Sequence, residues 1–275
     1  MIRDILLPVN GTSGDENAIA GAIALSSRYN AHLSLAVPLS VPAPVGGPWG
    51  GSDLMLAEML TLVRGEAEAK ASRLRERLGK EDISWEVRIA DAGFAEPPHL
   101  LARHTRYADL SVVAAPAPGA SDGAVARANF SAMLLESGRP VMIVPAAPPI
   151  QLPIQRAVLA WRPTREAVRA LNDALFLLGT DIALDVVTIN EPGMGERADI
   201  DIGTHLARHG LRVNAASVSS AGQTVAGALL RHAQDSHAQL LIAGGYGHSR
   251  LREWMLGGTT RELLETARVP VLFSH

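Results

Sequence analysis

Short runs of apolar residues alternate along the chain with longer stretches in which the apolar residues recur at helical spacing. Strands that are apolar at nearly every position are typical of parallel sheets covered by helices on both faces. The short runs predict strands at Asp4–Val9, Ala31–Val37, Ser84–Ile89, Leu110–Ala114, Val141–Val144, Ala157–Trp161, Ala183–Ile189, Arg212–Ser217, Leu240–Ala243 and Val271–Phe273. The longer stretches predict helices at Gly14–Tyr29, Asp53–Leu78, Pro98–Arg106, Ala124–Glu136, Thr164–Leu177, Arg197–His209, Thr224–His237 and Thr259–Ala267. This alternation predicts an α/β fold with a five-stranded parallel sheet in each half.

The second half of the chain repeats the first. A shift of 130 residues (from 117 to 247) places Ser111–Ala117 under Leu241–Gly247 without a gap. A second match links the starts of the halves, where Ile5–Thr12 resembles Ala157–Thr164. Repetition at this period indicates two copies of one structural unit.

A repeat of about 130 residues is large enough to bury its own hydrophobic core. We therefore predict two tandem domains, which span residues 1–147 and residues 154–275. The proline-rich segment that ends at Pro153 is interpreted as the linker between them.

Glycines cluster after one of the predicted strands. Gly244 and Gly247 follow the apolar run Leu240–Ala243, and Gly257 and Gly258 precede the last predicted helix. A strand that leads through a glycine-rich loop into a helix commonly holds a phosphate, because glycine lets backbone N–H groups approach the anion and the helix adds its positive dipole end. The alternative is a tight turn that packs helix and strand closely and binds no ligand.

Composition and charge exclude several classes of function. The formal net charge is −3 at pH 7, and no basic cluster indicates binding to nucleic acid. There are no cysteines, which excludes disulfides and thiolate chemistry and fits a cytoplasmic protein. Met1–Ile5 leads directly into a strand, so we expect no signal peptide, and no apolar run approaches the roughly 20 residues that span a membrane.

With the repeat, the order of strands and helices and the glycine loop established, the chain resembles a tandem universal stress protein of the UspA type. The family carries the pattern Gly-x2-Gly-x9-Gly-Ser/Thr after its fourth strand. Gly244, Gly247 and Gly257 match this pattern, Gly258 stands where Ser or Thr is commonest, and Thr259 follows one place later.

The resemblance implies two Rossmann-like domains of the adenine-nucleotide α-hydrolase type, each doubly wound around its sheet. It also implies that the domains pair through their fifth strands about a pseudo-twofold axis, as single-domain members of the family do. A further homodimer of the tandem chain is compatible with this arrangement.

The resemblance further implies a nucleotide site, with ATP as the expected ligand, in the second half. The phosphate contacts carry over to Gly244, Gly247, His248, Ser249, Gly257, Gly258 and Thr259. Val187 or Thr188 stands at the end of the second strand, where the family supplies backbone contacts. The acidic residue with which the family binds adenine is replaced by Arg162 here and by Asn10 in the first half. Because arginine has no acceptor, it cannot make that contact, and such a loss costs about 1–3 kcal/mol.

The first half is predicted to have lost nucleotide binding. Pro116 and Pro118 remove two N–H donors from the loop, and residues 115–123 are expected to form a flexible surface loop. The residues that replace the loop glycines are Ala114, Ala117, Arg127 and Ala128.

Three functions remain open on the sequence alone. The first is a non-enzymatic stress-response and signalling protein that binds ATP or another anionic ligand and contacts unknown protein partners. The second is a nucleotide-hydrolysing or phosphate-transferring enzyme of the same superfamily, for which no catalytic set is recognisable. The third is a scaffold without a ligand.

His205 and His209 have the spacing of a metal-binding pair but no third ligand at a diagnostic spacing, so no metal site is predicted.

Overall fold

The ten strands in the described part of the chain lie in a single mixed sheet. This computed structural model describes residues 1–39, 53–91, 93, 96–179, 182–190, 200–220, 222–245 and 257–275. Within these residues no helix is both long enough and apolar enough to cross a membrane.

The first half contains strands β1 to β5 and helices α1 to α4. In chain order the elements are β1 (Asp4–Pro8), α1 (Asp15–Tyr29), β2 (His32–Leu39), α2 (Asp53–Leu78), β3 (Trp85–Asp91), α3 (Pro97–Thr105), β4 (Leu110–Ala114), α4 (Gly123–Ser137) and β5 (Val141–Val144). The second half follows as β6 (Arg156–Ala160), α5 (Arg165–Ala174), β7 (Ala183–Asn190), α6 (Ile200–Arg208), β8 (Arg212–Ser219), α7 (Val225–Asp235), β9 (Leu240–Gly244), α8 (Gly258–Thr266) and β10 (Val271–Ser274).

The ten-stranded sheet has the order β3-β2-β1-β4-β5-β10-β9-β6-β7-β8. Neighbouring strands within each half are parallel, and the halves join through an antiparallel pair in which Val271 lies opposite Ile143 and Phe273 opposite Val141. The strand order on one side of this junction mirrors the order on the other. The structure thus confirms the α/β fold with two doubly wound halves that pair through their fifth strands about a pseudo-twofold axis.

Helices cover the sheet on both faces, which explains why the central strands are apolar at nearly every position. One face packs against α1, α2, α5 and α6, whose buried residues include Leu25, Leu74, Leu171 and Leu206. The other face packs against α3, α4, α7 and α8, whose buried residues include Leu101, Phe130, Leu229 and Leu263. Each of the two cores contains residues from both halves, so the hydrophobic packing is continuous across the junction.

Most predicted boundaries lie within two residues of those in the structure, and β4 and β5 match residue for residue. The clearest error is the end of α5, which was predicted at Leu177 and lies at Ala174. Here the backbone tightens, since the N–H of Leu177 donates to the carbonyl of Ala174 at 2.8 Å, a bond of the 3₁₀ type. Leu177 thereby turns inward and is 3% exposed. The predicted start of the sixth helix at Arg197 lies outside the described residues.

Candidate anion-binding site at the strand ends

The end of β9 lies directly against the first turn of α5. A Cβ atom added to Gly244 would stand 2.7 Å from the backbone nitrogen of Ala167 and 2.7 Å from the carbonyl carbon of Glu166. Both neighbours are backbone atoms that cannot swing away. Gly244 is therefore required for close packing of strand and helix, whether or not a ligand is present.

The first half makes the same approach with the glycine on the opposite side. Gly14, just before α1, takes the place of Glu166, and Ala114 at the end of β4 takes the place of Gly244. A Cβ atom at Gly14 would overlap the carbonyl oxygen of Ala115 and stand 3.3 Å from the Cβ of Ala114. One glycine per half is thus enough for this contact, and α1 closes against the loop that follows β4.

Glu166 places a carboxylate beside Gly244. Its side chain is 10% exposed, and Arg165 contacts its carboxylate at 3.2 Å. Burial by itself raises the pKa of Glu166, but hydrogen bonds from its own N–H, Arg165 and Thr164 outweigh burial, so that the pKa lies below its ordinary value. The charged carboxylate disfavours an anion at the end of β9. The sequence analysis missed this residue, although an acid in the turn after a Thr164 cap is a recognisable helix-start signal.

The start of α8 has the opposite character. Gly257 caps the helix without any side-chain hydrogen bond, and no acidic residue stands in the first turn. Gly257, Gly258 and Thr259 are exposed, and a Cβ atom added at either glycine would meet no described atom within 4 Å. The first N–H groups of α8 lie at the positive end of the helix dipole, and this helix start has no side-chain cap, an arrangement that attracts anions.

The remaining predicted site residues fall into two groups. Gly247, His248 and Ser249 lie outside the described residues. Val187 is 1% exposed, and its carbonyl accepts a hydrogen bond of 2.8 Å from the N–H of Trp161. Arg162 follows Trp161 at the end of β6 and is partly exposed. Arg162, two residues past β6, and the carbonyl of Val187 in the adjacent strand β7 thus lie at the sheet edge where β9 ends in Gly244.

The corresponding region of the first half is filled by side chains of the protein. Ser13 donates to the carboxylate of Asp122 through both its N–H, at 2.6 Å, and its hydroxyl, at 2.8 Å. The N–H of Ala117 in turn donates to the hydroxyl oxygen of Ser13 at 2.9 Å. The hydrogen bonds from the Ser13 N–H keep the pKa of Asp122 below its ordinary range, so the group that Ser13 binds is a carboxylate anion.

A second carboxylate completes this closure. The N–H groups of Gly11 and Thr12 donate to Asp15 at 2.7 and 3.2 Å, and the hydroxyl of Thr12 donates to its other oxygen. The N–H groups that could have faced a phosphate after β1 are therefore already bonded to carboxylates. Residues 117–123 run over the surface, whereas Ala115 and Pro116 at the start of the predicted surface loop are buried. The segment is tied to this network through Ala117.

His205 in the last turn of α6 and His209, which directly follows the helix, have their ring centroids 4.8 Å apart. No group of three or more His, Asp and Glu side chains suited to a metal occurs within the part of the chain that the structure describes. Trp161 is 7% exposed and belongs to the core.

Comparison with known proteins adds a family to this geometry. Residues 154–275 match the family model described as the universal stress protein family. The universal stress protein Slr1230 from Synechocystis sp. is 29% identical over 104 residues, which are 35% of this chain and 35% of that protein. The match thus spans about a third of the length of this curated relative.

Two solved structures share the fold over the whole chain. A universal stress protein from Archaeoglobus fulgidus superposes with a TM-score of 0.75 at 18% identity, covering 98% of this chain and 95% of that one. A Pseudomonas aeruginosa protein assigned to the universal stress proteins gives a TM-score of 0.56 at 15% identity, covering 99% and 93%. The solved structures establish the fold of both halves, and the second half of the chain matches the model of the universal stress protein family.

Proposed function

We propose that the protein is a non-enzymatic stress-response protein that binds one phosphate-containing ligand, ATP or another anion, in its second half. The observation that carries this proposal is the open start of α8, where Gly257, Gly258 and Thr259 are exposed and no side chain caps the helix. This helix start ends the loop that matches the glycine pattern of the family. An anion there would gain hydrogen bonds from the first N–H groups of α8 and the favourable end of the helix dipole.

The first half does not share this function, because its binding groups are already engaged. The N–H of Ser13 is bonded to Asp122, and those of Gly11 and Thr12 are bonded to Asp15. A phosphate would have to displace carboxylates that the chain itself holds in place. The proposal therefore predicts one ligand per chain, although two copies of the fold are present.

The identity of the ligand depends on Arg162 and Glu166. Arg162 offers donors and no acceptor where the family binds adenine, so recognition of the base is weakened. Glu166 repels negative charge at the end of β9 and directs the phosphates toward α8. An anion with a smaller organic part than ATP fits this arrangement as well as ATP does.

The way in which Glu166 is held supports a non-enzymatic role. The carboxylate of Glu166 is bonded to Arg165 and lies in a hydrogen-bonded helix start. A general base must be able to accept a proton from an attacking water, and hydrogen bonds that stabilise the charged form make it a weak base. Signalling through protein partners in a reducing, cytoplasmic compartment completes the proposal and is compatible with a chain that contains no cysteine.

The test is calorimetric titration of the full chain with ATP and, separately, with inorganic triphosphate. Thr259→Asp places a carboxylate in the first turn of α8, where it stabilises the helix but repels an anion. We expect it to weaken binding at least about tenfold. Val125→Asp is the matched control, because Val125 is 46% exposed in the first turn of α4 in the closed half. It is expected to leave binding unchanged.

Three further outcomes would contradict the proposal or decide between the alternatives. Nucleotide turnover above that of heat-inactivated protein, lost in Thr259→Asp, would replace the proposal with an enzyme. A wild-type protein that binds neither ATP nor triphosphate would overturn it in favour of a scaffold without a ligand. Equal weakening by Thr259→Asp and Val125→Asp would also contradict the assignment to the second half.

A further inference from the structure

A cavity of about 180 Å³ lies where the two halves of the chain meet, and none of the anion-site residues described above lines it. Four aliphatic side chains form its apolar walls: Ile2 and Leu110 from the first half, and Leu177 and Leu272 from the second. Each is less than 5% exposed. The volume corresponds to about six water molecules at ~30 Å³ each, which is room for a small metabolite.

Two side chains of opposite charge, Arg139 and Asp173, line the same cavity, and no ion pair joins these two described residues. Asp173 accepts a hydrogen bond of 2.8 Å from the hydroxyl of Ser274, and the Nε of Arg139 donates to the carbonyl of Arg106 at 3.3 Å. Each group thus has one polar contact and further capacity to bind. Burial raises the pKa of Asp173, and Ser274 and nearby arginines, Arg139 among them, offset this only in part. The carboxylate is therefore short of positive charge.

The third charged group at the cavity is already engaged. Asp109 accepts hydrogen bonds from the N–H groups of Arg3 and Asp4, at 2.8 and 3.2 Å. These bonds join the starts of β1 and β4. Asp109 therefore serves the fold, and Arg139 and Asp173 are the charged pair that faces a ligand.

The carboxylate of Asp173 has no equivalent in the first half. Gly21 stands at the corresponding position of α1, and Val144 corresponds to Ser274. A Cβ atom at Gly21 would lie 2.6 Å from the side chain of Ile150, which fills this space from the linker. In the first half, an aliphatic side chain therefore fills this position. In the second half, the same position carries a carboxylate beside a cavity.

We propose that this cavity binds a small aliphatic zwitterion, of which a branched-chain α-amino acid is the best match. The carboxylate of the ligand pairs with Arg139, its ammonium group pairs with Asp173, and its hydrocarbon chain packs against the four aliphatic residues. Apolar walls with a few converging polar groups are the usual composition of a small-molecule site. This site is independent of the anion site at α8, so the two proposals can fail separately.

The first experiment titrates the full chain with L-leucine by calorimetry and saturation-transfer NMR. We expect a dissociation constant of about 1 mM or tighter. Glycine lacks the hydrocarbon chain, 4-methylpentanoate lacks the ammonium group and 3-methylbutylamine lacks the carboxylate. Each is expected to bind at least about tenfold more weakly. Equal binding of leucine and either singly charged analogue would overturn the zwitterion assignment, and no binding of leucine would overturn the site.

The second experiment uses variants at the two charges. Arg139→Gln and Asp173→Asn are each expected to weaken leucine binding at least about tenfold, while Arg103→Gln, an exposed arginine on α3 outside the cavity, leaves it unchanged. Retained binding in both cavity variants would contradict the proposal. Phe176 is 58% exposed at the cavity. If the protein is a dimer in solution and Phe176→Ala dissociates the dimer, a second copy of the chain covers the cavity. This result would also overturn the proposal.

Discussion

The backbone of Gly244 packs against that of Glu166 so closely that residue 244 has no room for a side chain. Gly244 matches a phosphate-binding pattern, but it is also required for steric reasons. In the first half the glycine is on the helix side of the contact, because Gly14 leaves room for Ala114 at the equivalent strand end. A glycine before the helix, instead of at the strand end, preserves the close packing of strand and helix. It also leaves the strand end without the glycine of the phosphate-binding pattern.

Gly244→Ala is accordingly expected to destabilise the protein even without a ligand. The new Cβ would meet backbone atoms at 2.7 Å, and such overpacking typically costs about 1–3 kcal/mol. Urea unfolding measures the effect. Gly258→Ala is the control, because a Cβ there meets open space at a normal helix start and should cost less than about 0.5 kcal/mol. Equal stability of the two variants would show that α5 can shift away from β9.

The contrast between strands and sites shows how much the sequence can predict. β4 and β5 are predicted residue for residue, because a fully buried strand is a nearly continuous apolar run; Asp109 precedes β4, and Pro140 and Pro145 flank β5. The closure of the first half could not be predicted, since Ser13 and Asp122 are 109 residues apart and only the folded chain brings them together. For the same reason the pattern around Gly244 suggested a phosphate contact and gave no sign of the contact with Glu166.

Ser13→Ala tests the closure of the first half. The change removes the hydroxyl that donates to Asp122 and accepts from the N–H of Ala117. The loss of these bonds should reduce the free energy of unfolding by about 1–2 kcal/mol, and the Ala117 amide should exchange its hydrogen faster. Ser27→Ala, at an exposed position in α1, should be neutral or slightly stabilising. Unchanged exchange at Ala117 would contradict the role assigned to Ser13.

The ion pair of Glu86 predicts a loss of stability in acid. The hydrogen bond from Arg88 lowers the pKa of Glu86 to about 2 against burial, with help from Ser34 and His32. A depressed folded pKa gives stability that is present above the unfolded value of 4.5 and is lost as the pH falls toward about 2. Because the side chain is 34% exposed, we expect Glu86→Gln to cost less than about 1 kcal/mol near neutral pH.

Urea unfolding of wild type and Glu86→Gln at several pH values measures this contribution. The difference between the two proteins should shrink through the acid range and vanish near the folded pKa of about 2. Glu81→Gln, an exposed residue before β3, supplies the comparison for removing one negative charge. A difference that is the same at all pH values would mean that the effect of Glu86 comes from packing.

Asp173 is expected to have the opposite effect on how the stability of the protein depends on pH. Burial raises its pKa above the ordinary value of 3.8, so the folded protein takes up a proton more readily than the unfolded chain does. Its destabilising effect is absent below that value and develops as the pH rises through the folded pKa. Asp173→Asn can still accept from Ser274 and should therefore be more stable than wild type at neutral pH, with the gain disappearing in acid. A loss of stability at neutral pH would show that the arginines around Asp173 outweigh its burial.

Phe273→Ala tests whether the two halves unfold as one unit. The ring of Phe273 in β10 packs edge to face on Phe130 of α4, with centroids 5.3 Å apart and an interplanar angle of 68°. Both are less than 2% exposed, so truncation should cost about 3–5 kcal/mol. Because the ring belongs to the second half and its partner to the first, hydrogen exchange should accelerate together in β1 and β6. Phe176→Ala, at an exposed phenylalanine, should change neither strand by more than about 1 kcal/mol. If β1 keeps its protection while β6 loses it, the halves are separate folding units that share a sheet.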